Sequence, residues 1–388
     1  MSSPTPAERR TRACQERLRS ADADLVLFPS HNLTYLSGFA ETPGERHLLL
    51  FVTWEGDPIF LVPELYGDQV REASWVPDVR TWADEEDPRE LLAEVVADRG
   101  LGGDRLLVDD TMHARFTQDL RAAAGPGCEF GLASEVLAPL RVHKDAAELD
   151  ALRRAGRVAD AVVEDLRALG PDVVGTTERE LAADVERRLS EAGGEGVPFE
   201  VIVGAGENGA KPHHAHGDRE IEAGDPVVLD FGTRVGSRVT PARSSGQTQS
   251  GPRYPSDQTR TLVFAGDPPE EFETVHDVVR EAQQAAVDAV APGVPAEDVD
   301  AAAREVIEAA GYGDRFIHRT GHGVGLDVHE EPYIVAGNDR PLEPGMVFSV
   351  EPGVYLPGAF GVRIEDLVVV TDEGCERLNH ADRGWRCP

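Results

Sequence analysis

The sequence has almost no lysine and few aromatic residues. Only Lys144 and Lys211 are lysines among its 388 residues, aromatic side chains make up 6%, and arginine supplies nearly all of the positive charge. Asp and Glu number 71 against 38 Lys and Arg, which leaves a net charge of −33. Such a charge repels phosphate groups, so we expect no nucleic-acid partner.

Long apolar runs are also missing. No stretch approaches the roughly 20 apolar residues that cross a bilayer, so we expect no membrane partner. Paired arginines near the start are not followed by an apolar segment, which argues against a secretory or twin-arginine signal. The four cysteines have no ligand-like spacing and are predicted to be free thiols. We therefore expect a cytoplasmic protein.

The acidic residues are spread along the whole chain instead of forming a tail. A surface of this kind repels itself in dilute buffer, whereas at 1 M salt the screening length falls to about 3 Å. The pattern predicts a halophilic protein. An ordinary acidic cytosolic enzyme is the alternative.

A chain of this length exceeds what a single hydrophobic core usually supports. Residues 21–140 mix short β-runs such as DLVLFP, HLLLFV and PIFLVP with helical patterns such as PRELLAEVVADRG, which indicates an α/β domain. Two capped helices follow, with capping residues Asp145 and Glu148 in the first and Thr177 and Glu180 in the second. Beyond them the chain is strand-rich, apart from a helical stretch around 270–312. We predict two domains, residues 1–141 and 142–388.

Acidic residues occur where apolar strand residues are expected. Asp230, Glu351 and Glu365 interrupt β-runs, and Asp257 stands just ahead of another. Any one of them could face solvent by strand alternation. Four buried carboxylates, however, require a cation, because burial of an unpaired charge is costly. That cation could be an arginine, Arg260 or Arg363, or a metal.

Histidine placement favours metal. His318, His322 and His329 lie in a glycine-rich segment, while Tyr333 excludes an H-E-x-x-H zinc helix. Carboxylates with one imidazole suit Mn, Co, Fe or Zn. Carboxylates about 5 Å apart repel by roughly 3 kcal/mol per pair at an effective dielectric near 20, so two divalent ions are expected rather than one.

A dinucleotide-binding fingerprint competes for part of this region. Gly204, Gly206 and Gly209 form G-x-G-x-x-G after a predicted strand, and Asp230 follows at a fitting distance. Proline and histidines nevertheless occupy the place where the phosphate-binding helix would begin. The glycines are therefore predicted to form a turn beside the active site.

Six motifs in the second half resemble, in order, the metallopeptidase family of creatinase, prolidase, Xaa-Pro aminopeptidase and methionine aminopeptidase. They are VIVGAGENGAKPHH, GDPVVLDFG, SDQTRT, HRTGHGVGLDVHEEP, GMVFSVEPGVY and GVRIEDLVVV. NLTYLSGF and ERHLLLFV resemble the creatinase-type N-terminal domain, which methionine aminopeptidases lack. The resemblance implies an α/β N-terminal creatinase-like domain followed by an α+β pita-bread catalytic domain.

The resemblance also implies residue roles. The implied metal ligands are Asp230, Asp257, His322, Glu351 and Glu365. Asp257 and Glu365 would bridge the two ions, and Glu351 would also carry a proton to the leaving nitrogen. The implied residues that contact substrate and stabilise the tetrahedral intermediate are His213, His318 and His329, with Arg363 as a supporting arginine near Glu365. We interpret His214 as a loop histidine, and His216, His276 and His380 as surface residues.

One departure from the family concerns the two aspartates. Asp257 follows Asp230 by 257 − 230 = 27 positions. This exceeds the family spacing by about 16 residues, a lengthening that costs only roughly 0.9 kcal/mol in closure entropy. The excess falls in the polar stretch from Thr240 to Arg253, which is expected to be exposed and dispensable for metal binding.

The resemblance implies a hydrolase that uses two divalent ions, Mn or Co before Zn or Fe, to cleave Xaa-Pro bonds in short proline-containing peptides. Dipeptidase and aminopeptidase activity both remain open. A creatinase-like hydrolase of a non-peptide C–N bond and a non-catalytic pita-bread binding protein are the alternatives, and the full ligand set counts against both. We also expect a homodimer.

Overall fold

The computed structural model of the chain describes residues 4–101, 105–237 and 251–388. Two compact units are formed, one by the residues up to Arg141 and the other by Val142–Arg238 and Arg253–Pro388. Whether each unit folds as an independent domain stays a prediction. None of the helices in the described ranges is long and apolar enough to cross a membrane.

The first unit alternates helices and strands, as its β-runs and helical pattern predict. Its helices are α1 (Pro6–Ala21), α2 (His31–Ser37), α3 (Glu64–Ala73), α4 (Pro88–Arg99), α5 (Ala114–Ala124) and α6 (Ser134–Arg141). Its strands are β1 (Asp24–Leu27), β2 (Leu49–Val52), β3 (Ile59–Pro63), β4 (Asp78–Trp82), β5 (Arg105–Val108) and β6 (Glu129–Leu132). They form one mixed sheet in the order β4-β3-β2-β1-β5-β6. Apolar side chains from both strand and helix faces, such as Phe51 and Phe116, fill its core.

The second unit begins with the two predicted capped helices. The helices are α7 (Ala146–Leu169), α8 (Glu178–Glu191), α9 (Phe272–Ala289) and α10 (Ala296–Ala309). Both predicted capping boxes are present, at Asp145 with Glu148 and at Thr177 with Glu180. The helical stretch expected around 270–312 is two helices, because a proline and a glycine at 292–293 interrupt it.

The strands of the second unit form small antiparallel sheets. The strands are β7 (Ile202–Ala205), β8 (Val227–Phe231), β9 (Arg234–Gly236), β10 (Arg253–Pro255), β11 (Gln258–Leu262), β12 (Gly321–Gly323), β13 (Glu330–Ile334), β14 (Val347–Val350), β15 (Gly353–Leu356), β16 (Phe360–Arg363), β17 (Asp366–Val370) and β18 (Cys375–Arg377). The described sheets have the orders β11-β8-β7 and β13-β12-β14-β17-β18, with the pairs β9-β10 and β15-β16.

A helix pair backs each of the two larger sheets. Side chains of α7 and α8 pack with β7, β8 and β11 in one apolar cluster, whereas α9 and α10 pack with β14, β16 and β17 in another. Within the second unit, the β11-β8-β7 sheet meets the loop that joins β16 to β17. There the Glu365 amide donates to the Thr259 carbonyl oxygen over 3.1 Å. This junction brings the acidic residues of both sheets together.

Candidate metal centre

Three of the predicted metal ligands form a closed cluster. Donor atoms of Asp257, His322 and Glu365 all lie within 4.8 Å of one another, and the three residues are buried. Asp257 directly precedes β11, His322 lies on β12, and Glu365 lies between β16 and β17. The close approach of β12 to β14 requires Gly321, because a Cβ atom there would overlap the Ser349 carbonyl oxygen.

Asp230 and Glu351 adjoin this cluster. Asp230, on β8, pairs in register with Thr259 on β11, so strand alternation places Asp230, Thr259 and Asp257 on one face. The His322 Nε2 lies 3.2 Å from Glu351 Oε1 and 3.8 Å from Asp257 Oδ2. The structure therefore brings all five predicted ligands to one place.

Arginine cannot neutralise this cluster by itself. Arg363 donates to Asp230 Oδ2 over 2.7 Å, while Arg260 points to the opposite face of β11 and donates to Asp366 over 2.8 Å. Asp257 and Glu365 thus receive no arginine partner within the described ranges. Of the two arginines that could have supplied the cation, only one faces the site.

Burial and mutual repulsion shift the pKa values of the cluster carboxylates. Burial and then the neighbouring carboxylates raise the pKa of Asp257 and of Glu365 well above their ordinary values. Burial also raises the pKa of Asp230, although Arg363 opposes the shift. For Glu351 burial acts in the same direction, but the His322 hydrogen bond and charge outweigh it and lower the pKa to about 2.

These residues fit a site for divalent cations. Asp230 Oδ1 is buried and has no hydrogen-bond partner among the residues that the structure describes, so one oxygen remains free for a ligand bond. Carboxylate oxygens with a single imidazole form a hard donor set. Cations would also remove the repulsion that raises the carboxylate pKa values.

A cavity of about 460 Å³ opens onto the cluster. It is lined by all five predicted ligands and by His213, His318, His329 and Arg363. Cavities of this size suit small-molecule substrates. The predicted site residues thus share one cavity, while their individual roles stay predictions.

The three predicted cavity histidines differ in their surroundings. His329 packs its ring 4.1 Å from that of His322, and burial lowers its pKa to about 4. His213 is exposed at the cavity and its ring forms no hydrogen bond with the described residues. In His318, Nδ1 donates to the Arg319 carbonyl oxygen over 2.7 Å, and Nε2 is 2.9 Å from the Tyr355 hydroxyl.

The remaining histidines give a mixed result. The prediction that His276 lies at the surface is wrong: it is 1% exposed on α9, packed against Phe272. Its apolar helical neighbours predict burial for that face of α9. His380 is exposed and His216 is partly exposed. His214 lies in a loop, as predicted, but its Nε2 bonds the buried Glu178 over 2.8 Å.

Sequence reasoning missed several side chains that hold the predicted ligands. The Thr259 hydroxyl donates to Glu365 over 2.6 Å and accepts from Arg363 Nε over 3.0 Å. Ser349 donates to Glu351, and Arg363 donates to the Tyr355 hydroxyl over 2.9 Å. Thr, Ser and Tyr are ordinary strand residues, so the sequence carried no signal that separated them from structural positions.

The predicted insertion is described only at its ends. Strands β9 and β10, which flank it, form an antiparallel pair with Arg253 opposite Gly236. Residues 238–250 lie outside the described part of the chain, and the expected exposure of the Thr240 to Arg253 stretch falls largely there. The G-x-G-x-x-G glycines form a strand end and the 3₁₀ turn Gly206–Ala210, as predicted, instead of a phosphate-binding helix.

Comparison with known proteins gives a consistent result. The protein named Probable dipeptidase PepE of Mycobacterium tuberculosis is 41% identical over 365 residues, covering 92% of this chain and 90% of that protein. The Xaa-Pro dipeptidase of Lactobacillus helveticus is 35% identical over 374 residues, covering 95% of this chain and 96% of that protein. The crystal structure of a prolidase from Thermococcus sibiricus superposes with a TM-score of 0.89 at 38% identity, covering 99% of this chain and 100% of that one.

The protein families that this chain matches agree with the names of these relatives. Residues 10–143 match the Creatinase/Prolidase N-terminal domain, and residues 150–243 and 248–372 match Metallopeptidase family M24. The predicted fold class, an α/β N-terminal domain followed by an α+β pita-bread domain, is confirmed. The chain belongs to metallopeptidase family M24 and is a metallopeptidase.

Proposed function

We propose that this chain hydrolyses the Xaa-Pro bond of dipeptides with the help of two divalent ions. The observation that carries the proposal is the convergence of four buried or half-buried carboxylates and His322 on one cavity, where Asp230 Oδ1 has no hydrogen-bond partner in the described part of the chain. The substrate is inferred from relatives, since the Lactobacillus helveticus protein is named an Xaa-Pro dipeptidase. The protein is proposed as a dipeptidase, with aminopeptidase activity as the nearest alternative.

The proposed ligands of the two ions are Asp230, Asp257, His322, Glu351 and Glu365. We propose Mn or Co before Zn or Fe, because the donors are mostly hard oxygens. When bound, such ions supply Lewis acidity for activating water and polarising the scissile carbonyl. Asp257 and Glu365, whose carboxylate oxygens lie within 4.8 Å of one another, would both take part in holding these ions.

The protein's own groups would handle binding and proton transfer. Glu351 is the proposed carrier of a proton to the leaving nitrogen. His213 and His329 present rings to the cavity and would contact substrate and the developing oxyanion. Both nitrogens of His318 are engaged, so we propose that it orients the Tyr355 hydroxyl. Arg363 orients Asp230 and leaves one of its oxygens free.

Proline at the second position suits this chemistry. The imide nitrogen has no N–H, so the site needs no acceptor for it, and the ring already fixes φ before the peptide binds. A creatinase-like activity and a non-catalytic role remain the alternatives. A complete ligand set favours neither of them.

The test compares hydrolysis of Ala-Pro, Ala-Pro-Ala, Ala-Ala and creatine with added Mn or Co. We expect Ala-Pro to be cleaved fastest. A preference for Ala-Pro-Ala would make the protein an aminopeptidase, and equal rates on Ala-Ala would make it a general dipeptidase. Turnover of creatine alone would support the creatinase-like alternative.

Cytoplasmic location and a homodimer belong to the same proposal. All four cysteines are free thiols, which suits a reducing compartment. Light scattering in solution tests the dimer, which predicts twice the chain mass of 41.9 kDa. Cell fractionation tests the location.

A further inference from the structure

Glu178 is a fully buried carboxylate that the proposed chemistry does not use. It lies in the first turn of α8 with 0% of its surface exposed. Its Oε1 accepts from the Ala205 amide and from Asn208 Nδ2, each over 2.9 Å. Its Oε2 accepts from His214 Nε2 over 2.8 Å and from the Gly217 amide over 3.2 Å. A buried carboxylate that accepts four hydrogen bonds fixes the position of the chain segment that supplies the donors.

All four donors belong to one segment, residues 205–217. This segment leaves β7, passes through the 3₁₀ turn Gly206–Ala210 and then lines the cavity from Pro212 to Ala215. Asn208 is held further by Lys211, which donates to its Oδ1 over 2.9 Å. Glu178 therefore anchors both ends and the middle of the segment.

His213 sits between two fixed points of this segment. On one side, Arg363 donates to the Pro212 carbonyl oxygen over 3.2 Å, and on the other, His214 bonds Glu178. The His213 ring forms no hydrogen bond with the described residues, so its own side chain does not hold it in place. Its position at the cavity depends on its two neighbours.

We propose that Glu178 is a positioning residue that holds His213 at the cavity through His214 and the backbone of residues 205–217. The catalytic relevance of this role rests on the proposed function. Because none of the hydrogen bonds of Glu178 goes to a proposed metal ligand, its expected effect is on His213 and not on metal binding. A shift of about 1 Å in a group that contacts substrate can lower the rate about 100-fold.

Substitution of Glu178 by glutamine disrupts the anchor in a defined way. Each carboxylate oxygen accepts two donors, so the amide nitrogen of E178Q faces two N–H groups in either orientation. The matched control is E180Q, in the same helical turn. The exposed Glu180 accepts a hydrogen bond from the amide of the N-cap residue Thr177, and a glutamine oxygen can accept it equally well. H214A removes a single donor and leaves three, so it is the variant to use if E178Q does not fold.

The first measurement is amide hydrogen exchange of residues 205–217 in the full-length, metal-loaded protein. We expect exchange about tenfold faster in E178Q and H214A, no change in E180Q, and partial recovery in H214Q, whose amide can donate. Metal content should be unchanged in every variant. Unchanged exchange in E178Q and H214A, or loss of metal from either, would overturn the proposal.

The second measurement is kcat/KM on the peptide that the native protein cleaves best. We expect E178Q to lower it about 10- to 100-fold, mainly through kcat, and to cause no further loss in an H213A background. An equal loss with and without His213 would overturn the role assigned to His213. If the native protein cleaves no peptide, the proposed function fails, whereas the exchange measurement still decides whether Glu178 anchors the segment.

Discussion

At the scale of single residues, strand alternation sorts the charges of the site. Thr259 and Arg260 are neighbours on β11 and face opposite sides, as do Glu365, which precedes β17, and Asp366, its first residue. Thr259 therefore bonds Glu365 at the cavity, while Arg260 pairs with Asp366 in the protein interior. Two adjacent carboxylates thus serve different purposes, one available to a cation and one held in a salt bridge.

Glu351 offers the sharpest residue-scale test of the proposed chemistry. We predict that E351Q lowers kcat about 100-fold or more, because the amide cannot carry the proton, while the fold persists. The measurement is steady-state hydrolysis of Ala-Pro with metal content determined on the same sample. The control is E373Q, an exposed residue of the same unit. Native turnover in metal-loaded E351Q would refute the role of Glu351.

His276 predicts a pH dependence of stability. Its two ring nitrogens have no partner among the described residues, and burial lowers its pKa from 6.5 to about 4. The folded protein therefore holds it neutral, while the unfolded chain binds a proton below pH 6.5. Stability that is fully present above pH 6.5 is lost as the pH falls toward 4, by about 2 kcal/mol at pH 5.

The test is urea unfolding of the native protein and H276L at pH 7.5 and pH 5. Leucine has a similar volume and no proton to bind, so the loss of unfolding free energy between the two pH values should be about 2 kcal/mol smaller in H276L. The control is H380L, at an exposed position. Equal losses in all three proteins would show that His276 does not titrate in this way.

At the scale of secondary-structure elements, each sheet brings its own share of the site. Strands β8 and β11 carry Asp230 and Thr259 opposite one another, and β12 carries His322 against β14. The helix pairs behind the sheets supply apolar packing and contribute no ligand. The connection between β9 and β10 can therefore vary in length, because the Gly236 and Arg253 pair closes the hairpin before it.

Shortening that connection tests its dispensability. Replacing residues 237–252 by the turn Asn-Gly joins two paired strands with a loop type that suits their twist. We predict unchanged metal content and unchanged kcat/KM, since Asp230 and Asp257 are held by the β8 and β11 pairing. Metal analysis and Ala-Pro hydrolysis give the answer. Loss of metal would show that the stretch forms part of the site.

At the scale of the whole molecule, the main electrostatic feature is the large negative net charge. The excess of acidic over basic residues is 71 − 38 = 33, so many surface carboxylates have no basic partner. The surface ion pairs that do form, such as Arg46 with Asp84, are open to solvent and contribute little stability. They do not offset repulsion over the entire surface.

Salt should therefore stabilise the protein. We predict that the melting temperature rises continuously from 0.1 to about 2 M KCl, because screening shortens the range of repulsion to a few ångströms. Differential scanning fluorimetry at constant metal concentration measures it. A flat or falling curve would remove the proposed halophilic character.

Metal removal should destabilise the catalytic unit. The empty cluster keeps buried carboxylates together against their repulsion, and a ligand at 100 times its dissociation constant stabilises by about 2.7 kcal/mol. We predict that chelation lowers the melting temperature and that Mn restores it, with two ions bound per chain. Replacing His322 with alanine should abolish the response. An unchanged melting temperature with no bound metal would contradict the proposed site.

The sequence by itself determined the family, the fold class and the five acidic and histidine positions that meet at the cavity. Ordered motifs and capping boxes are local signals, and carboxylates inside apolar strands are conspicuous because burial of charge is costly. The apolar neighbours of His276 on α9 carry a signal for its burial, whereas the hydrogen bonds that reach Glu178 could not be derived in this way.

Tertiary structure decided which arginine faces the site and which polar residues hold it. Arg260 and Arg363 both lie near acidic residues in sequence. The register of β11 against β8 turns Arg260 away from the site toward Asp366, whereas the end of β16 places Arg363 against Asp230. Thr259, Tyr355 and Glu178 act through partners about 30 to 100 positions away or across a hairpin. Hydrogen bonds between residues so far apart in sequence form only after the sheets have packed. Each depends on where two chain segments meet, and the composition of either segment alone does not specify that.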